Sequence, residues 1–239
     1  MTRRTMRRKW RNGLIPLALL ALTGCAGGVE PMAMVGLGGG EEAKDVTGPC
    51  GEHYSADIGL RLDMIRQQME QGRSRSALAH LDESGFDYAE AALMRGDALR
   101  DVGRRDESDA VYETLAGGCL AADAFHGMAR NAVVRGDRQQ ALVLMRQARD
   151  ARPTDADIRN DLGYLLMLEG EPQQAREELL TALELGGAGQ RAASNLVMLM
   201  MQQGRVVEAE RLARRYDVDD ELVARLRRLS SGGAGPEHG

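Results

Sequence analysis

The side chains best suited to chemistry are thinly spread. Histidine occurs four times, at His53, His80, His126 and His238, and no two stand at the three-to-five-residue spacing that metal sites use. The three cysteines contain no Cys-x-x-Cys pair, so neither a zinc nor a dithiol redox motif is present. Adjacent acids at Glu177-Glu178 and Asp219-Asp220 have the composition of a general acid and base, yet on helices they read as solvated faces. Asp219, Asp220 and Glu221 also suit the start of a helix, where negative charge meets the positive end of the dipole. Serine, histidine and aspartate are scattered without a nucleophile turn. The GLGGG run at 36–40 follows no predicted strand and opens no helix, as a phosphate loop would. These residues predict no catalytic site, no metal, no cofactor and no small-molecule substrate.

The chain is organised instead around a helical unit. From Asn160 to Leu185 the sequence NDLGYLLMLEGEPQQAREELLTALEL places Leu162 and Leu166 at helical spacing and turns at Glu169-Gly170-Glu171-Pro172. It then sets Ala175, Leu179, Ala182 and Leu183 on one face. Gly170 suits the left-handed end of one helix and Pro172 the first turn of the next, where a missing N–H is no loss. So small a hairpin cannot bury its own stripe and needs neighbours. Leu162, Gly170 and Ala175 return 34 residues on as Leu196, Gly204 and Ala209, and Gly136 and Ala141 stand 34 before Gly170 and Ala175. Gly103 precedes Gly136 by 33 and Gly72 precedes Gly103 by 31. Five units follow, near 58–88, 89–121, 122–155, 156–189 and 190–223. DDELVARLRRL at 219–229 predicts a cap helix with Leu222, Val223, Leu226 and Leu229 on one stripe, closing the apolar end of the array. A composition 43% apolar but only 3% aromatic fits closely stacked helices, and no alternating strand pattern is present, so no sheet is expected.

Leu162, Gly163, Gly170, Ala175 and Ala182 match the pattern of the tetratricopeptide repeat (TPR), which this chain resembles. The resemblance implies an all-α TPR superhelix of about five helical hairpins with a C-terminal capping helix, over residues 56–230. It also implies a concave groove lined at the second, fifth, ninth, twelfth and thirteenth positions of each unit. Those positions include Arg66, Asp97, Arg100 and Arg130 in the N-terminal part, and Tyr164, Met167, Leu168, Met198 and Met201 in the C-terminal part. The expected groove is therefore charged at one end and rich in methionine at the other, an adaptable surface for a partner helix or extended peptide. The alternative is that the methionines pack against the next hairpin or the cap helix, since methionine at helical spacing is usually core.

Both ends of the chain depart from the repeat. Arg3, Arg4, Arg7, Arg8, Lys9 and Arg11 precede a nine-residue apolar run, Leu14 to Leu22, too short to span a bilayer. Leu22-Thr23-Gly24-Cys25 then resembles a bacterial lipobox, which implies a lipoprotein signal peptide over 1–24 and lipidation of Cys25. The residue after it is Ala26 rather than Asp, which in the lipoprotein sorting pattern implies the outer membrane. Residues 25–55 are rich in glycine and predict a flexible tether, and 231–239 predict a disordered tail. Without the leader, Lys+Arg falls from 31 to 25 against 36 Asp+Glu, a net charge of −11. That disfavours nucleic acid and anionic lipid as direct ligands, so membrane attachment falls to the lipid anchor. With Cys25 assigned to lipid, Cys50 and Cys119 remain, and two thiols in an oxidising compartment suggest a disulfide. The alternative is two separate thiols, one of them buried as a small apolar residue.

The lipobox, the glycine-rich tether, the five repeats and the pair NDLGYLLMLEG…AREELLTALELG and NLVMLMMQQGRVVEAERLARR together resemble the TadD-like lipoproteins of the tight-adherence (Flp) pilus system. That resemblance implies a non-enzymatic adaptor on the periplasmic face of the outer membrane, with secretin or pilus-assembly subunits as protein partners. Related readings are a type IV pilus pilotin, the repeat lipoprotein of the β-barrel assembly machine, and a periplasmic scaffold for cell-wall enzymes.

Overall fold

The computed structural model describes residues 45–232. The expected leader over 1–24, the lipidation site Cys25, the tether as far as residue 44 and the tail from residue 233 lie outside the described residues. A short hairpin of β1 (Val46–Thr47) and β2 (His53–Tyr54) comes first, then five helix pairs and a last helix. The pairs are α1 (Ala56–Glu70) with α2 (Ser74–Ser84), α3 (Ala89–Asp101) with α4 (Arg105–Leu115), and α5 (Ala121–Arg135) with α6 (Arg138–Ala151). They continue with α7 (Ala156–Leu168) and α8 (Pro172–Leu185), then α9 (Gly189–Gln202) and α10 (Val206–Arg215), before α11 (Asp220–Gly232).

Local chemistry sets the helix ends. Ser55, Asp137 and Asp155 each place a side-chain oxygen on an N–H of the first turn, of Ile58, Gln140 and Ile158 respectively, using donors that the helix itself leaves unpaired. At the turn inside the fourth pair, Gly170 has φ 78°, a left-handed conformation that a side chain disfavours, and Pro172 opens α8. Ala77, Ala141, Ala175 and Ala209, five residues after the turn glycine in four of the pairs, are fully buried. Gly163 also permits close approach, because a Cβ there would lie 2.7 Å from Leu179 Cγ. One continuous core runs from Tyr112 to Val223, while the first two pairs hold smaller clusters around Leu62 and Leu99.

The hairpin of β1 and β2 corrects the expectation of no sheet. Val46 pairs with Tyr54 and Thr47 with His53 in antiparallel register, so residues 46–54 of the expected tether are ordered. Two residues per strand are too few to show an alternating pattern. Tertiary contacts hold the strands instead: Tyr54 is buried, and its hydroxyl donates to Glu90 Oε2 at 2.6 Å. Burial first, then that carboxylate, push the phenol up to about 12. Cys50, in the turn of this hairpin, is disulfide-bonded to Cys119 between α4 and α5, with Cα atoms 5.6 Å apart. The bond closes a loop of 69 residues around the first two helix pairs, and loop entropy gives such a closure about 4 kcal/mol. The cap helix is present as α11, packed on α9 and α10. Val223 is buried and Leu222 and Leu226 are half-buried against the core, but Leu229 is exposed.

Candidate functional site

The first helices of the third, fourth and fifth pairs line a groove of about 790 Å³, a volume typical of binding clefts. Its floor is apolar. Val133 and Val134 on α5 are 43% and 62% exposed, and Tyr164 and Leu168 on α7 are 40% and 44% exposed, with Leu165 and Met145 beneath them. Arg100 of α3, Arg105 of α4 and Arg130 of α5 stand at one end. Gln190, Arg191, Ser194 and Asn195 of α9, with Asp219, form the other. Tyr164 and Leu168 share a face because they are one helical turn apart, and Val134 occupies in the third unit the thirteenth position that Leu168 occupies in the fourth.

Polar side chains tie the lining helices together. His126 Nε2 lies 2.9 Å from Asp161 Oδ2, linking α5 to α7. Asn160 Nδ2 donates to Asp161 at 3.0 Å and Asn160 Oδ1 accepts from Asn195 at 2.9 Å, linking α7 to α9. Burial raises the affinity of the Asp161 carboxylate for protons, but the hydrogen bond and charge of His126, helped by Asn160 and Arg191, outweigh it. Asp161 is held below the usual carboxylate range. Arg100 is clamped by Asp97 and by the hydroxyl of Tyr112, and Arg191 pairs with Asp157.

The methionine-rich groove is corrected. Met201 is 1% and Met167 8% exposed, and both belong to the continuous core. Met198 is half-buried against the same core, as are Leu222 and Leu226 of α11. The cap helix packs on α9 and occupies the surface that a further repeat would have covered, so the stripe is used internally. Of the expected groove residues, Arg100, Arg130, Tyr164 and Leu168 come together in the cleft. Arg66 sits outside it, paired with Asp63 and Glu90, and Asp97 turns toward Arg100 and Tyr112. Sequence reasoning did not name Val134 or Asn160, although they stand at the thirteenth and fifth positions expected to line the groove, and it missed Arg105, Asp161 and Asn195. Val134 had a signal, its shared repeat position with Leu168; Arg105 had none, since it is the first residue of a second helix. Among the described residues no cluster of three His, Cys, Asp or Glu side chains could hold a metal, and no helix is long and apolar enough to cross a membrane.

Models of the tetratricopeptide repeat match residues 134–188 and 190–215. Over 191 residues the sequence is 34% identical to TPR repeat-containing protein PA4299 of Pseudomonas aeruginosa, covering 80% of this chain and 78% of that one. Among solved structures, TTC0263, a thermophilic TPR protein in Thermus thermophilus, matches with a TM-score of 0.53 at 21% identity, covering 73% of this chain and 97% of the other. YrrB, a TPR protein with an unusual peptide-binding site, matches with a TM-score of 0.52 at 18% identity, covering 71% and 91%. At these identities the likeness of the two structures is one of fold.

Proposed function

This chain belongs to the tetratricopeptide-repeat family, as PA4299 does, and on that premise we propose that it is a non-catalytic adaptor whose α5–α7–α9 groove holds a segment of a protein partner. The observation that carries this reading is the open apolar floor. Val133, Val134, Tyr164 and Leu168 remain exposed together along the groove. A contiguous apolar patch rimmed by polar groups marks an interaction surface. Stacked repeats present such a surface to extended segments.

The adaptor acts at the periplasmic face of the outer membrane, anchored through lipid on Cys25, and serves the assembly of a secretin or an Flp-type pilus. The support for this part is the leader, the lipobox at Leu22-Thr23-Gly24-Cys25 and the resemblance to the TadD-like lipoproteins. Two measurements test the reading. Cys25→Ser should move the protein from salt-washed membranes to the soluble fraction; equal retention of the variant sinks the anchor. Leu168→Glu together with Tyr164→Glu should abolish co-purification of purified secretin and pilus-assembly subunits while circular dichroism stays at wild type. Undiminished binding by that folded variant places the partner on another face.

A further inference from the structure

We propose that the segment held in the groove is extended and acidic at one end, with carboxylates on Arg105 and Arg130 followed by apolar side chains along Val133, Val134, Tyr164 and Leu168. This rests on the reading of the groove as a partner site.

The argument begins with charge. Acids outnumber bases, 36 to 31, and Arg66, Arg95, Arg135, Arg152 and Arg159 are all ion-paired. Within the groove Arg100 pairs with Asp97 and Arg191 with Asp157. Arg105 and Arg130 differ. Both line the groove, and no carboxylate among the described residues pairs with either. The Nε of Arg105 is moreover buried without a hydrogen-bond partner. A guanidinium presents a planar fork of donors that matches a carboxylate. Two such forks left open in an acidic protein select an anion, and the apolar floor beside them selects a segment that continues into hydrophobic side chains.

Spacing then sets the order of residues in that segment. Val133 and Val134 stand one helical turn from Arg130, roughly 5–6 Å away on the same face, so an apolar residue follows the acid within about two positions of an extended chain. The next first helix lies roughly 8–10 Å further on, about three extended residues, which brings a second apolar side chain over Tyr164 and Leu168. Asp219 lines the far end, where Arg191 is already paired with Asp157 and a second acidic run would meet like charge. The motif is therefore polar in direction: acid first, apolar after, with no acid at the other end.

The test uses the full chain and three fluorescein-labelled octapeptides in fluorescence anisotropy. One has three acidic residues followed by alternating leucine and serine, one has lysines in place of the acids, and one has the acids at both ends. The first should bind at least tenfold tighter than the lysine peptide and at least threefold tighter than the doubly acidic one. Arg105→Ala with Arg130→Ala should cut the tenfold preference below threefold and flatten its salt dependence, while Arg75→Ala, outside the groove, changes nothing. Arg130 is exposed, so Arg130→Ala alone serves if the double variant loses helix, and it should still halve the preference. Equal binding of the acidic and lysine peptides, no binding of either, or an undiminished preference in the arginine variants overturns the proposal. The groove reading fails separately, through partner capture that survives Tyr164→Glu and Leu168→Glu.

Discussion

The second and fourth helix pairs fill the same two positions in opposite ways. Five and nine residues after its turn glycine the fourth pair has Ala175 and Leu179, fully buried and both apolar. The second pair has Ser108 and Tyr112 there, equally buried. Ser108 Oγ donates to the carbonyl of Gly96 at 2.8 Å, and the Tyr112 hydroxyl donates to Asp97 at 2.7 Å while accepting from Arg100 at 2.6 Å. Room for the ring comes from glycines on two helices, since a Cβ on Gly96 would lie 2.6 Å from it and one on Gly127 would enter it. Asn131 and Arg135 of α5 extend the network through Asp109, at 2.7 and 2.6 Å. At these two positions one repeat thus packs by shape alone, whereas the other adds directional bonds whose partners must all be present. The difference teaches that a repeat position fixes a volume to be filled and leaves its chemistry open.

The largest effect expected from this contrast is at the apolar pair. Leu179→Ala removes a fully buried side chain from the continuous core and should cost about 2–5 kcal/mol in urea unfolding; a loss below about 1 kcal/mol would mean that α7 and α8 collapse to fill the space through Gly163. Tyr112→Phe keeps the ring and removes only the hydroxyl, so it should cost less, about 1–2 kcal/mol. Double-mutant cycles with Asp97→Asn should return a coupling of similar size, and strict additivity would break the distinction between the two pairs. Burial and Asp97 push the Tyr112 phenol well above its usual range, so the hydroxyl remains a donor throughout the neutral range.

The smallest effect concerns the polar link at the groove. Asp161 is depressed in the folded state, so its contribution is present above its unfolded value, about 3.9, and is lost as pH falls through the folded one. Stability of the wild type should therefore decline below about pH 4 more steeply than that of Asp161→Asn. Parallel curves between pH 5 and pH 2.5 would show that His126 and Asp161 do not couple α5 to α7.

Legibility followed the same division. Turn glycines and small residues at fixed spacing are demanded by backbone conformation and helix approach, so the five pairs could be read from Gly72, Gly103, Gly136, Gly170 and Gly204. The site was half legible. The resemblance to the repeat placed Tyr164 and Leu168 on the concave face, but it assigns Met198 and Met201 to the same stripe and cannot say that Met201 is core and Met198 half-buried. Cover is a tertiary fact, and a buried methionine and an open one look alike in sequence. The hairpin of β1 and β2 carried no pattern either, because its order comes from Tyr54 and from a covalent bond to residue 119.

That bond also decides how the molecule carries load. Tension applied between residue 45 and the last helix leaves the backbone at Cys50, crosses the sulfur atoms and re-enters at Cys119. The first two helix pairs hang beside the line of force rather than in it. Their 69 residues of separation, roughly 230–250 Å of extended chain, become available only after reduction. The oxidised molecule therefore behaves as a short, stiff link that transmits pull directly to the three pairs bearing the groove.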